Sequence, residues 1–238
     1  MNKENTLFGI VGLLFGLIVG FMFANNVNQK AAVMPVSPAA MKQNSNMPEG
    51  HPDITGNTNP ANQPAVALPE VQAAIEKAKQ EPDNFEAQIK AAEVNYQNES
   101  YDKTLEYLKQ ANKIKPEDYE TIVNLGNTNF DSGNYAEAEK WYSSALTKKA
   151  ADVNVRTDLG LTFIFRDPPN YDRAIKEFEQ VLTTDAGHIQ ALQNLTVAYT
   201  KKGDAAKARA TLAKFEALDA TNPAVPKLRD DIQKIETK

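Results

Sequence analysis

Two stretches of this sequence, "NYAEAEKWYSSAL" at 134–146 and "NYDRAIKEFEQVL" at 170–182, are versions of one pattern. Each begins with Asn-Tyr, has alanine three positions after the tyrosine, and has an aromatic residue four positions after that alanine. The segments "VNLGNTNFDSG" at 123–133 and "LQNLTVAYTKKG" at 192–203 also resemble each other. Self-similarity at a fixed spacing is typical of repeat arrays. It divides the chain into four units, 85–118, 119–152, 153–188 and 189–222, of which the third has two extra residues near "RDPPNY".

Each unit consists of helix-forming residues with one internal break, which predicts two antiparallel helices per unit. Antiparallel helices approach closely where small residues face each other, so we expect alanine against glycine at their contact. A stack of such pairs needs ends with a polar outer side. The segment "LPEVQAAIEKAKQEPDN" at 68–84 predicts one amphipathic helix, either half a repeat or a cap, and 224–236 predicts a C-terminal capping helix.

These spaced positions resemble the tetratricopeptide repeat family over residues 85–222. In the second unit the family's slots hold Leu125, Gly126, Tyr135, Ala138, Tyr142 and Ala145. In the third they hold Leu159, Gly160, Tyr171, Ala174, Phe178 and Val181. The first and fourth units match less completely, as expected at the ends of an array. The resemblance implies an all-α solenoid of helix-turn-helix repeats whose first helices line a concave, peptide-binding groove.

The resemblance, carried over by repeat position, also predicts which side chains line the groove. They are Ile89, Lys90, Tyr96, Val123, Asn124, Asn127, Phe130, Thr157, Leu161, Ile164, Phe165, Gln193, Asn194 and Val197, together with the charged residues Glu86, Glu93, Asp131, Asp158 and Lys201. Family members that clamp a C-terminal carboxylate use basic residues and asparagine, whereas Ile89 and Glu93 occupy two of those places here. The groove is therefore expected to bind a peptide through asparagine hydrogen bonds and apolar contacts. The alternative is that several apolar members pack against the neighbouring repeat.

The N-terminal region contains an uncharged apolar run from Leu7 to Ala24. As a helix it would be roughly 27 Å long, close to the thickness of a bilayer core. It is longer than the core of a cleavable signal and lacks a small-residue cut site, which favours a retained transmembrane anchor over residues 1–24. Its stretch "GIVGLLFGLIVG" places Gly12, Gly16 and Gly20 on one side, which suggests helix–helix contact and a homodimer. The alternative is that glycine is simply frequent in membrane helices.

Residues 25–68 are rich in Pro, Asn and Ala without an apolar period, and predict a disordered tether of roughly 35–40 Å reach before a repeat domain over 69–238. His51 lies in this tether, and His188 is far away in the chain. Both histidines are expected to be solvated loop residues, and no metal site is predicted.

The composition excludes several function classes. A formal charge of -5 and a pI near 5.2 provide no basic surface for nucleic acid. The absence of cysteine excludes disulfides, thiol nucleophiles and a bacterial lipoprotein anchor. No phosphate-binding loop, GxSxG or HExxH motif occurs, so neither a catalytic site nor a cofactor is predicted.

We therefore expect a membrane-tethered scaffold that binds peptide segments of envelope proteins during assembly, transport or quality control. The alternative is an accessory subunit that holds apocytochrome in cytochrome c maturation, similar to single-span repeat subunits of that pathway. Lys3 precedes the apolar run and Lys30 and Lys42 follow it, so positive charge hardly biases the orientation. Similarity to anchored bacterial repeat proteins suggests a single-pass inner-membrane protein whose repeats lie in the periplasm.

Overall fold

The computed structural model describes residues 68–237, which contain ten α-helices joined by turns. In chain order they are α1 Leu68–Gln80, α2 Phe85–Gln97, α3 Tyr101–Ile114, α4 Tyr119–Asp131, α5 Tyr135–Lys148, α6 Val153–Phe165, α7 Tyr171–Thr184, α8 Ile189–Lys202, α9 Ala205–Leu218 and α10 Val225–Glu236. Each predicted repeat unit contains one pair, from α2 and α3 to α8 and α9.

The helices stack in sequence order, so that each packs against the helix before it and the helix after it. The first helix of a pair is the more deeply buried, as α4 has eight buried residues out of 13 and α5 has four out of 14. The helices therefore form an inner row (α2, α4, α6, α8) and an outer row (α3, α5, α7, α9). This is the all-helical repeat solenoid that the sequence predicts.

Every inner helix begins at a side chain that caps it. The acceptors are Asn84 for α2, Asp118 for α4, Asp152 for α6 and His188 for α8, which receive backbone N–H groups at 2.9 to 3.2 Å. Each of these residues directly precedes the first residue of its helix, so a side-chain cap recurs at each repeat boundary. A side-chain cap satisfies backbone donors that have no partner within the helix.

His188 corrects the expectation of a solvated loop histidine. His188 is only 9% exposed. Its Nδ1 accepts a hydrogen bond from the Ala191 N–H at 3.2 Å, and its Nε2 lies 3.2 Å from the Asn154 amide oxygen. Burial lowers the pKa of its imidazole, and nearby Asp185 partly opposes that shift. The expectation was wrong because it considered only how far apart the two histidines lie in the chain, whereas His188 lies at a repeat boundary and caps the next helix. His51 lies outside the described residues.

The helix pairs meet differently from the expected contact of alanine with glycine. A Cβ atom on Gly126 would lie 2.5 Å from Cε1 of Tyr142, and one on Gly160 would lie 2.4 Å from Cε1 of Phe178. The glycines therefore make room for the aromatic ring of the partner helix. The alanines Ala138 and Ala174 are fully buried within the same core cluster.

The two ends of the stack are covered by single helices. At the C-terminal end, α10 packs on α8 and α9 and buries Val225, Leu228 and Ile232. At the N-terminal end, α1 packs on α2, where the Gln88 amide donates to the Ala78 carbonyl at 2.8 Å.

Within residues 68–237, no helix has the length and apolar character needed to span a membrane. The predicted anchor, its glycines Gly12, Gly16 and Gly20, and the predicted tether up to residue 67 lie outside the described residues.

Candidate peptide-binding groove

The inner helices present one stripe of side chains each, which we call the inner stripes. Residues at i, i+3 and i+7 of a helix share a face. The inner stripes are Lys90, Glu93 and Gln97 on α2, Asn124, Asn127 and Asp131 on α4, Asp158, Leu161 and Phe165 on α6, and Asn194, Val197 and Lys201 on α8. Successive stripes belong to equivalent repeat positions, so they run side by side along the solenoid.

Contacts between inner helices join these stripes into one surface. The Tyr96 hydroxyl on α2 donates a hydrogen bond to the Asp131 carboxylate on α4. The Phe130 ring on α4 meets the Phe165 ring on α6 edge to face, with 5.8 Å between centroids. Tyr135 stacks on Phe165 at 6.0 Å. The predicted groove residues of α2, α4 and α6 therefore belong to a continuous face.

Several predicted groove residues are buried beneath that face. Each lies at, or one position before, the first residue of an inner stripe, and the buried set is Ile89, Val123, Asn124, Thr157, Gln193 and Asn194. Ile89 and Val123 belong to the hydrophobic core clusters. One position along a helix turns a side chain by about 100°. Ile89 and Val123 therefore pack between helices, which is the alternative that the sequence left open for apolar members.

The remaining predicted groove residues stay in contact with solvent. Lys90 is exposed and forms an ion pair with Glu93 at 2.9 Å, and the partly exposed residues are Tyr96, Asn127, Phe130, Leu161, Ile164, Phe165 and Val197. Near α1, an open cavity of about 300 Å³ is lined by Ala74, Lys77, Glu86, Ala87, Ile89 and Lys90. A ligand lying along the inner row could reach the exposed and partly exposed members of this set.

The asparagines of α4 differ in how their amide oxygens are used. The Asn127 Oδ1 accepts a hydrogen bond from the Tyr142 hydroxyl at 2.9 Å. Asn124 is only 4% exposed, and its buried Oδ1 has no hydrogen-bond partner. A buried amide oxygen without a partner costs free energy that a ligand donor would recover.

Two carboxyl groups make this face acidic. Burial, with the negative charges of Asp131 and Asp152, raises the pKa of the partly exposed Asp158 to about 7. The protein atoms packed around the Asp131 carboxyl group also raise its pKa, although the residue remains exposed to solvent. The hydrogen bond from Tyr96 opposes that shift. Burial and the Asp131 charge keep the pKa of Tyr96 far above its ordinary value, so this phenol remains a hydrogen-bond donor.

Sequence reasoning placed both aspartates in the groove without giving them a role. A signal was present, because neither residue has a lysine or arginine three or four positions away on its own helix. Their proximity to each other could not be read from the chain. Within the described part of the chain, no group of three or more His, Asp or Glu side chains could hold a metal ion.

Comparisons with known proteins agree with this architecture. Two family models described as tetratricopeptide repeat match the chain, one at residues 95–157 and 170–232 and the other at 61–119. No curated protein sequence matches it.

Similar solved structures include YrrB, described as a tetratricopeptide repeat protein with an unusual peptide-binding site, at 19% identity and a TM-score of 0.60, covering 67% of this chain and 81% of YrrB. The MamA protein is 22% identical with a TM-score of 0.58, covering 63% of this chain and 81% of MamA. A tetratricopeptide repeat protein from Parabacteroides merdae is 17% identical with a TM-score of 0.60, covering 64% of this chain and 60% of that protein. At these identities the likeness concerns the fold.

The repeated helix pairs, the glycine–aromatic contacts and the matching family models agree with one another, and the fold supports a protein- or peptide-binding role. The chain belongs to the tetratricopeptide repeat family.

Proposed function

We propose that this protein is an interaction scaffold whose inner face binds an extended peptide segment of a partner protein. The observation that carries the proposal is the continuous inner face, on which Tyr96, Leu161 and Phe165 remain partly exposed. The Asn124 amide oxygen, buried beneath this face without a donor, would accept a backbone N–H of the peptide if its side chain turned toward the groove. YrrB, whose description names a peptide-binding site, offers support at the level of the fold only.

The inner stripes also offer apolar contacts for the side chains of such a peptide. Leu161 on α6 and Val197 on α8 are partly exposed and pack against the main core, so their outer surfaces are free to cover an apolar side chain. Burial of a single apolar side chain contributes about 1.5–3 kcal/mol. A few such contacts with hydrogen bonds would give the moderate affinity expected of an exchangeable scaffold.

Site-specific photocrosslinking tests where partners bind. A photoreactive benzophenone residue replaces Leu161 in the full chain, and a matched variant carries it at Ala213, which is exposed on the outer helix α9. We expect partner proteins to crosslink from position 161 and not from position 213. Crosslinks that form from 213 alone would place the binding surface on the outer row.

Asn124→Ala tests the part played by this amide. No hydrogen bond to Oδ1 is lost in the free protein, but the substitution truncates a buried side chain, so circular dichroism must show that the helices are retained. Affinity for a crosslinked partner's peptide should fall about tenfold, as expected for one hydrogen bond to a desolvated acceptor. Asn112→Ala on the outer helix α3 is the control and should bind normally. Equal affinity for Asn124→Ala and the native protein would remove the amide oxygen from the site.

We further propose that residues 7–24 anchor the protein in a bacterial inner membrane, with the repeats on the periplasmic side and with envelope proteins as partners. The support is the uncharged apolar run and the absence of a cut site. The full chain should remain in the membrane fraction after carbonate washing, and a chain beginning at Pro69 should not. Protease added to intact spheroplasts should digest the repeats; protection until lysis would reverse the orientation.

The partners captured at position 161 also separate the two roles that the sequence suggests. Assembly, transport or quality-control functions predict varied envelope proteins. An apocytochrome-binding role predicts c-type cytochromes before haem attachment, together with components of the haem-attachment machinery. Comparison of crosslinks with Gly12, Gly16 and Gly20 intact or replaced by isoleucine would show whether a membrane-helix homodimer contributes to capture.

A further inference from the structure

The four side chains that cap the inner helices are not chemically equivalent. Asn84, Asp118 and Asp152 cap α2, α4 and α6, whereas His188 caps α8. Of these residue types, histidine is the one whose ordinary charge change falls between pH 5 and 8. The cap between the third and fourth repeat units is therefore the one of the four that mild acid can alter.

The geometry of this cap fixes the protonation state of the imidazole. The Ala191 backbone N–H can only donate, and it points at Nδ1 of His188 at 3.2 Å, so Nδ1 must offer its lone pair. The proton of the neutral ring then lies on Nε2, which is 3.2 Å from the Asn154 amide oxygen in the first turn of α6. One ring thus caps the fourth unit and holds the third.

A second proton would act against this arrangement in three ways. Protonated Nδ1 is a donor, so it would oppose the Ala191 N–H instead of accepting it. A positive charge would also lie at the start of α8, where the helix dipole is already positive. The residue is only 9% exposed, so little water would solvate that charge. The charged ring is therefore incompatible with the closed cap.

Asp185 is the charged group that opposes these effects. It lies in the turn between α7 and α8, its charge favours the protonated imidazole, and its Oδ1 also accepts the Gly187 N–H at 3.0 Å. Burial has the larger effect on the ring, because the net result is a lowered pKa for His188.

Charged groups on the other segments around α8 have partners of their own. The last turn of α7, residues 181–184, carries no charged side chain. Acceptors at the start of α6 and the end of α9 are engaged: Asp152 with the Tyr119 hydroxyl at 2.7 Å, and Asp219 with the Asn222 amide at 3.0 Å. The guanidinium groups pair with carboxylates: Arg156 of α6 with Glu177 at 2.8 Å, and Arg229 of α10 with Glu216 at 2.8 Å.

We infer that His188 makes the boundary between the third and fourth units acid-sensitive: protonation of its Nδ1 releases the Ala191 N–H, parts the ring from Asn154 and opens the first turn of α8. The inner stripe of that helix begins at Asn194, directly after this turn, so acid would loosen the last part of the inner face. The inference holds whether or not the inner face binds a peptide.

Amide hydrogen exchange of the full chain in mild detergent, resolved by NMR, tests this opening. The reporters are the amides of Ala191 and Leu192, which donate to the His188 side chain and carbonyl. A histidine with the ordinary pKa of 6.5 in the open turn would favour opening by at most about thirtyfold at pH 5 relative to pH 7.5. We expect protection, corrected for intrinsic exchange, to fall by about three- to thirtyfold in the native protein.

Matched controls isolate the imidazole. His188→Asn keeps an acceptor for the Ala191 N–H but cannot be protonated, so its protection should not follow this pH dependence. The Thr121 amide, capped by Asp118 at 2.9 Å, is the internal control at the start of α4 and should keep its protection in both proteins. Equal pH dependence of Ala191 and Leu192 in the native protein and His188→Asn would overturn the inference.

Nitrogen-15 NMR of the imidazole gives a second test that needs no substitution at position 188. The chain has two histidines, and His51→Gln leaves His188 as the single imidazole. At pH 7.5 we expect Nδ1 to be unprotonated and Nε2 to carry the proton. A proton on Nδ1 at pH 7.5, or full protection of Ala191 and Leu192 after the ring becomes charged, would overturn the inference.

Discussion

At the residue scale, the partly buried Asp158 and the buried His188 respond to pH in opposite directions. Asp158 holds its proton more tightly in the folded protein than in the unfolded chain, because burial and the negative charges of Asp131 and Asp152 disfavour its ionised form. His188 holds its proton less tightly, because its ring is buried at the start of α8. A pKa that differs between folded and unfolded states makes the free energy of unfolding depend on pH.

Asp158→Asn should change that dependence between about pH 4 and 7. The ordinary pKa of an aspartate is 3.8 and that of folded Asp158 is about 7. In this window the native protein keeps a proton that the unfolded chain has lost, so the native free energy of unfolding falls as pH rises. The free energy of unfolding of the asparagine variant does not decrease in this way, so the variant should become more stable relative to the native protein as the pH rises from 4 to 8. Urea unfolding at several pH values measures it; an Asp102→Asn control should follow the native curve, and parallel curves for Asp158→Asn would contradict the assignment.

His188→Asn should have its effect on the acid side. Asparagine can still cap α8 by accepting the Ala191 N–H, but it cannot take up a proton. As the pH is lowered below the ordinary histidine pKa of 6.5, the unfolded chain takes up a proton before the folded protein does. The free energy of unfolding of the native protein therefore decreases as the pH is lowered. The difference in unfolding free energy between native protein and variant should therefore narrow or reverse from pH 8 to pH 5. His188→Ala, which lacks a cap, should be about 1 kcal/mol less stable than His188→Asn at pH 8.

At the element scale, the helix pairs are specified by contacts that recur in more than one repeat. Lys115 lies 3.9 Å from the Phe85 ring centroid in the first unit, and Lys149 lies 3.7 Å from the Tyr119 ring centroid in the second. These cations follow the outer helix and cover the first residue of the inner helix of the same pair. Together with the caps and the glycine–aromatic contacts, they hold the two helices of a unit in one relative position.

Gly126→Ala tests the closest of these contacts. The new methyl group would lie 2.5 Å from the buried Tyr142 ring, so the ring or the helix must move. Such overpacking costs about 1–3 kcal/mol, against the roughly 1 kcal/mol gained when alanine replaces glycine in a helix. We expect a net loss of thermal stability, measured by circular dichroism. Gly187→Ala, whose Cβ would make only ordinary contact at 3.6 Å, is the control and should melt within a degree or two of the native protein.

At the scale of the whole molecule, the solenoid depends on its end helices. Each repeat leaves an apolar face that only its neighbour can cover, and α10 covers the last one with Val225, Leu228 and Ile232. The opposite side of α10 carries the exposed charged residues Lys227, Arg229 and Asp230, which give this end of the stack a polar, solvated surface.

A chain that ends at Asn222 should therefore be less stable by several kcal/mol, because the three lost side chains contribute about 1.5–3 kcal/mol each and their contacts on α8 and α9 become exposed. It should also self-associate through that face. Thermal unfolding and sedimentation velocity measure the two effects. A chain that ends at Glu236 keeps all of α10 and should behave like the native protein, whereas a fully stable monomer without α10 would contradict a capping role.

The sequence by itself determined the helix pairs, their order and their family. Those features are local and periodic: each break falls at a turn, each apolar position recurs with the helical period, and the pattern repeats in every unit. It also identified the inner helices as the candidate binding surface, through a resemblance carried over by position.

Only the tertiary structure decided which neighbouring side chains face the groove and which face the core. Ile89 and Lys90 are adjacent in sequence, yet Ile89 is buried between helices and Lys90 is exposed. The stacking of repeats brought Asp131 and Asp158 within electrostatic range although they belong to different units. The reason is physical: the environment of a side chain depends on the helices packed beside it, and the rotation and spacing of those helices are set by close packing that one-dimensional periodicity does not contain.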